Sequence, residues 1–148
     1  MPRPYVVSSS IARQEGDMFS KIQHVGYLVE DLDTAVEWYS RTFGGKRTGG
    51  GAAGAGKVAF VQIGDVEVEL IEPVDKSGLT GRANQVFHHV GYVVEDLDKA
   101  VAEFKARGYK FATAEPMVNI AGYRLIFFDM SSTKGTRIHL TEKSSLKG

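Results

Sequence analysis

The sequence predicts an α+β fold: two β-α-β-β-β-like units, related by a pseudo-twofold axis and joined into one curved sheet. Three observations carry this expectation. Residues 22–36, IQHVGYLVEDLDTAV, return 65 positions later as residues 87–101, FHHVGYVVEDLDKAV, with only four of fifteen positions changed. Each copy passes from a β-prone run into an apolar pattern of helical spacing. The strand-like runs that follow also end alike, as VELIEP (residues 68–73) and IHLTEK (residues 138–143). Neither unit alone could bury its sheet face, whereas two together could.

The elements follow in order. Residues 1–19 read as an N-terminal extension, 20–143 as a single domain with modules at about 20–75 and 85–143, and 144–148 as a tail. Ile22 to Val29 and Phe87 to Val94 open the modules. Alternation puts His24, Gly26 and Leu28 on one face, with His89, Gly91 and Val93 on the matching face. The EDLD segments then start helices, with Asp33 and Asp98 expected as N-caps. Leu32, Val36, Tyr39 and Phe43 form the first apolar stripe, and Leu97, Val101 and Phe104 the second. Gly44-Gly45 and Gly108 supply the stops.

Residues 44–58, GGKRTGGGAAGAGKV, read as a mobile glycine-rich loop placed to cover a site as a lid. Their GAAGAGKV approaches a phosphate-binding loop. The hydroxyl residue is replaced by Val58, however, and a strand follows where that motif needs a helix. Residues 57–73 are two strands around a Gly64-Asp65 turn. In the second module, YRLIFFD and TRIHLTE flank the loop MSSTKG.

Composition excludes several classes of function. The 18 Lys and Arg balance 18 Asp and Glu, so there is no basic excess to bind nucleic acid. No apolar run approaches the roughly 20 residues that span a bilayer. The first residues hold no apolar stretch long enough for a signal sequence, and the absence of cysteine removes disulfides and thiolate ligands. A cytoplasmic protein is expected.

The chemistry lies on the strands. Three of the four histidines, His24, His89 and His139, occupy matched strand positions, and Glu69 aligns with His139. Imidazole nitrogen and carboxylate oxygen suit one divalent ion such as Zn, Co, Ni, Mn or Fe. Four such ligands leave two of six octahedral positions open. By alternation His88 points away from His89 and reads as structural or partly exposed; the alternative is that it is the ligand instead. Across the Gly64-Asp65 turn, Phe60, Gln62, Glu67 and Glu69 share a face. Glu67 is then either an unliganded base or a solvated rim residue.

The openings HVGYLVEDLDTAVEWY and HHVGYVVEDLDKAV, with VAFVQIGDVEVELIEP and KGTRIHL, resemble the vicinal oxygen chelate superfamily (glyoxalase, bleomycin resistance, dioxygenase) over residues 20–143. Within it, the methylmalonyl-CoA epimerase branch is the most similar. The resemblance implies paired modules forming a cup-shaped mixed sheet with helices outside and a divalent metal within. It places the ligand histidines on His24 and His89 and the third ligand on Glu69. His139 stands where the family usually has a Glu that also acts as acid or base. No carboxylate lies in KVAFVQI, where some epimerases carry a second catalytic Glu.

The function implied is metal-assisted proton transfer next to a carbonyl or thioester, of the epimerase or glyoxalase I type, on an acyl-CoA or other carbonyl compound. Glu69, His139 and Glu67 are the expected acids and bases. The alternatives are an Fe(II)-dependent ring-cleaving dioxygenase and a non-catalytic antibiotic-binding protein. A homodimer is implied, with neither nucleic acid nor membrane as partner.

Overall fold

The computed structural model describes residues 18–54, 56–79 and 84–146. The expected N-terminal extension lies almost wholly outside them, as does the end of the C-terminal tail.

Module one runs β1 (Phe19–Val29), α1 (Leu32–Phe43), β2 (Lys46–Ala53), β3 (Gly56–Ile63) and β4 (Val66–Pro73). Module two runs β5 (Gln85–Val94), α2 (Leu97–Ala106), β6 (Met117–Val118), β7 (Arg124–Phe127) and β8 (Ile138–Glu142). All eight strands form one mixed sheet in the order β2-β3-β4-β1-β5-β8-β7-β6. The modules meet where β1 and β5 pair antiparallel, with His24 opposite Gly91 and Gly26 opposite His89. That reciprocal register is the pseudo-twofold. On either side, β1 pairs β4 and β5 pairs β8 in parallel. The α+β fold of two curved half-sheets is thus the one expected.

Each helix covers the outer face of its own half. Leu32, Val36 and Tyr39 of α1 pack on Ala59, Val61 and Leu70, while Leu97, Ala100 and Phe104 of α2 pack on Ile126, Phe128 and Leu140. Burial of each large side chain is worth about 1.5–3 kcal/mol. Phe43 does not join this stripe; at the last helical position it is 55% exposed and stacks edge-on to Trp38. Gly44 ends α1 in the left-handed conformation, φ 68°.

The helix starts correct one expectation. The N-caps are Asp31 and Asp96, whose carboxylates accept from Thr34 N and Lys99 N at 2.9 and 3.0 Å. Asp33 and Asp98 lie in the first turn. The earlier start follows from the leucines. Leu32 and Leu97 are buried as first helical residues, and their free N–H groups donate to Glu72 (2.8 Å) and Glu142 (3.1 Å) at the ends of β4 and β8. Each module therefore ties its helix to its last strand by the same bond.

A second correction concerns the glycine-rich segment. Residues 46–53 are not a loop but β2, paired along its length with β3. Glycine is what lets this strand form. Gly50 and Gly51 have φ of 137° and 147°, and a side chain on Gly50 would strike the Val58 carbonyl.

Candidate functional site

On the inner face, β1, β4, β5 and β8 each deliver one side chain to a common point. His24, His89 and His139 are 1%, 4% and 0% exposed. His24 Nε2 lies 2.8 Å from His89 Nε2 and 3.0 Å from His139 Nε2. Glu69 Oε2 lies 3.0 Å from His24 Nε2 and 2.9 Å from His89 Nε2. The three histidines expected to converge are therefore brought together, with Glu69 against two of them.

The repeated glycines make the space. A methyl group on Gly26 would overlap the His89 ring, and one on Gly91 would overlap the His139 ring. Each imidazole lies flat over the glycine of a neighbouring strand, which only a missing Cβ permits.

The far nitrogen of each ring is also held. Thr141 Oγ1 lies 2.9 Å from His139 Nδ1, and His88 Nδ1 lies 2.8 Å from His89 Nδ1. His24 Nδ1 contacts Gln23 Oε1, while Gln23 Nε2 donates to Glu67 Oε2 at 3.2 Å. An ionised Glu67 only accepts, so the amide must turn its NH2 toward Glu67 and its oxygen toward His24. His24 Nδ1 then carries a proton toward Gln23, while its Nε2 converges with two other imidazoles and a carboxylate. Such convergence of lone pairs calls for protons or a cation at the centre.

A divalent cation fits. Donors about 2.1 Å from an octahedral ion lie about 3.0 Å apart when adjacent, and about 3.4 Å apart around a tetrahedral one. These four separations, 2.8 to 3.0 Å, match neighbouring positions of the octahedral case, and His24, His89 and His139 offer donor atoms that all lie within 4.8 Å of one another. Electrostatics agree with that chemistry. Burial opposes charge on Glu69, but hydrogen bonds with His24 and His89 overcome it and hold the carboxyl well below its usual range. Burial, with the neighbouring His24 and His89, pushes the His139 imidazole well below its ordinary value, which leaves it a neutral donor.

Glu67 is not a solvated rim residue. It is 9% exposed, inside the cup, and accepts from Gln23, from Thr48 Oγ1 at 3.2 Å and from Tyr123 OH at 3.4 Å. Burial first, and then the Glu67 charge and hydrogen bond, raise the Tyr123 hydroxyl above its usual value, so it stays a donor. Sequence reasoning missed Gln23, Thr48 and Tyr123.

His88 also departs from expectation, since its ring meets His89 instead of pointing away. The cause is a β-bulge. Between the pairs Gly26–His89 and Tyr27–Phe87, β5 advances two residues while β1 advances one, and His88 is the extra residue. Burial, with the charges of His89 and Arg137, pushes the His88 imidazole down to about 4, so it is neutral. A cavity of about 500 Å³ opens beside it, between Met117, Phe127, Met130 and Arg137. The Phe127 ring connects this cavity to the cluster, 5.0 Å from the His139 ring.

A family model described as the Glyoxalase/Bleomycin resistance protein/Dioxygenase superfamily matches residues 23–127. The mitochondrial methylmalonyl-CoA epimerase of Bos taurus is 26% identical over 130 residues, 82% of this chain and 74% of that protein. The ethylmalonyl-CoA/methylmalonyl-CoA epimerase of Cereibacter sphaeroides is 24% identical across 84% of this chain and 99% of its own. The crystal structure of methylmalonyl-CoA epimerase from Mycobacterium tuberculosis superposes with a TM-score of 0.79 at 21% identity, covering 88% of this chain and 93% of that one. That last likeness is one of fold.

Proposed function

The chain belongs to the glyoxalase/bleomycin resistance protein/dioxygenase superfamily, and from that premise we propose that it is an epimerase-like enzyme. Its reaction is proton transfer at the carbon next to the thioester of an acyl-CoA, of which methylmalonyl-CoA is the type. The observation that carries this is a buried three-histidine, one-carboxylate cluster with a separate buried carboxylate beside it.

His24, Glu69, His89 and His139 would hold the divalent ion. When bound, such an ion polarises a carbonyl oxygen and stabilises the negative charge that develops as the adjacent C–H is deprotonated. Glu67 takes the proton. It stands two residues from Glu69 on the same strand face, about 7 Å along β4, and outside the cluster. Tyr123 and Thr48 fix its oxygens. Glu69 keeps 14% of its side chain accessible, whereas His139 keeps none, so Glu69, on letting go of the ion and taking a proton from solvent, would be the group that supplies the replacement proton. The cavity beside Phe127 offers apolar wall to the acyl chain, with Arg137 at its rim for an anionic group.

The test is uptake of deuterium from heavy water into methylmalonyl-CoA, with and without added divalent metal. The proposal expects metal-dependent exchange. Protein that neither carries a divalent ion nor gains activity on adding one would sink it. By resemblance we also expect two copies to pair through sheet edges, which sedimentation would measure; β2 and β6 are the edges.

A further inference from the structure

The same irregularity occurs on both sides of the pseudo-twofold. Between the pairs Ile22–Tyr92 and His24–Gly91, β1 advances two residues while β5 advances one, so Gln23 is the extra residue there. On β5 the extra residue is His88, 65 positions later and immediately before His89. In a regular strand the residue before a ligand would point to the helix side of the sheet. The bulge turns it back onto its neighbour. Gln23 Oε1 meets His24 Nδ1, and His88 Nδ1 meets His89 Nδ1 at 2.8 Å.

We propose that Gln23 and His88 are paired positioning residues, each set by its bulge to hold the Nδ1–H of the next histidine so that Nε2 faces the shared centre. This rests on the metal reading above. It also dictates ring tautomers. His89 donates through Nδ1, so His88 must accept through Nδ1 and carry its own proton on Nε2. Gln23 does more than its counterpart. The same amide that accepts from His24 donates to Glu67, so one side chain orients a ligand and the proton acceptor together.

The test is zinc affinity, measured by competition with a chromophoric chelator, on full-length wild type, Gln23→Leu and His88→Leu. Each leucine variant is expected to lose roughly tenfold to hundredfold in affinity. His88→Gln, which keeps an acceptor, is expected to recover most of it. Folded leucine variants that bind zinc as wild type does overturn the proposal. Should they fail to fold, nitrogen NMR of zinc-loaded wild type decides. Nδ1–H on His24 and His89 with Nε2–H on His88 supports the proposal; a proton on His88 Nδ1 overturns it. Wild type that takes up no zinc overturns the metal reading, and this inference with it.

Discussion

Module one sets Gln23 and Glu67 beside His24, whereas module two sets His88 and Arg137 at the equivalent places beside His89. Glu67 pairs with His24 across β1 and β4, and Arg137 falls opposite His89, one step before the Val90–Ile138 pair. What the modules share builds the halves and the centre: the two histidines, the two glycines beneath the rings, the Asp caps, and the Glu72 and Glu142 ties to the helices. Where they differ, module one has a carboxylate, Glu67, and module two a guanidinium, Arg137. A duplicated scaffold is symmetric, but the proton transfer proposed for it is not. It needs an acceptor on one side of the carbon and something to hold the substrate's charge on the other.

The largest effect should come from removing what the modules share. His24→Ala combined with His89→Ala strips one proposed ligand from each half and leaves only Glu69 and His139. Elemental analysis should find bound divalent metal falling from about one equivalent to none, with exchange activity lost. Retention of full metal content would place the ion elsewhere and dissolve the comparison.

Next come the residues that differ. Glu67→Gln keeps the shape and the Tyr123 contact but removes the proposed proton acceptor. Deuterium exchange should fall by about 10²–10⁴-fold while metal content stays unchanged. Arg137→Gln, its counterpart, should act mainly on KM, since the role proposed for the guanidinium is to hold substrate instead of taking a proton. Equal losses of kcat in both would mean that the two sides are not specialised.

A smaller, symmetric pair of effects belongs to the glycines. Gly26→Ala should displace the His89 ring and Gly91→Ala the His139 ring. Overpacking of this kind costs about 1–3 kcal/mol, read as a lower unfolding midpoint, and metal affinity should fall in both. If Gly91→Ala alone spared metal affinity, His139 would be a neighbour of the centre and not a ligand.

Much of this was legible in the sequence because a repeat reports geometry that a single strand cannot. Two copies of HVGY predicted the pseudo-twofold and the meeting of His24 with His89, and matched endings brought in Glu69 and His139. Gln23 and His88 were illegible for a physical reason. Alternation assumes a regular ladder, and a bulge is set by the register of two strands far apart in sequence. The glycine-rich strand β2 was hidden likewise, since nothing local distinguishes a glycine run that must pass close to Val58 from one that is merely loose. Thr48 and Tyr123 reach Glu67 from β2 and from beside β7, and no spacing rule links those positions to residue 67.

The smallest effect tests the symmetric ties between helix and sheet. Glu72 accepts from Leu32 N and lies 3.4 Å from Lys57 Nζ, and Glu142 accepts from Leu97 N and from Arg124. The Leu32 hydrogen bond, aided by the nearby lysines, lowers the Glu72 carboxyl below its ordinary 4.5. A folded-state value below the unfolded one means that the ionised carboxylate stabilises the native state. That contribution is complete above about 4.5 and fades as pH falls through the lowered value. Glu72→Gln should therefore lower the urea midpoint modestly at pH 7, by less than either glycine variant. The two curves should converge as the pH falls through and below that lowered value, because wild type then carries the protonated group that glutamine imitates. Metal binding at pH 7 should not change in this variant. A loss there would show that the outer tie of module one is felt at the centre, and that helix and site are not independent.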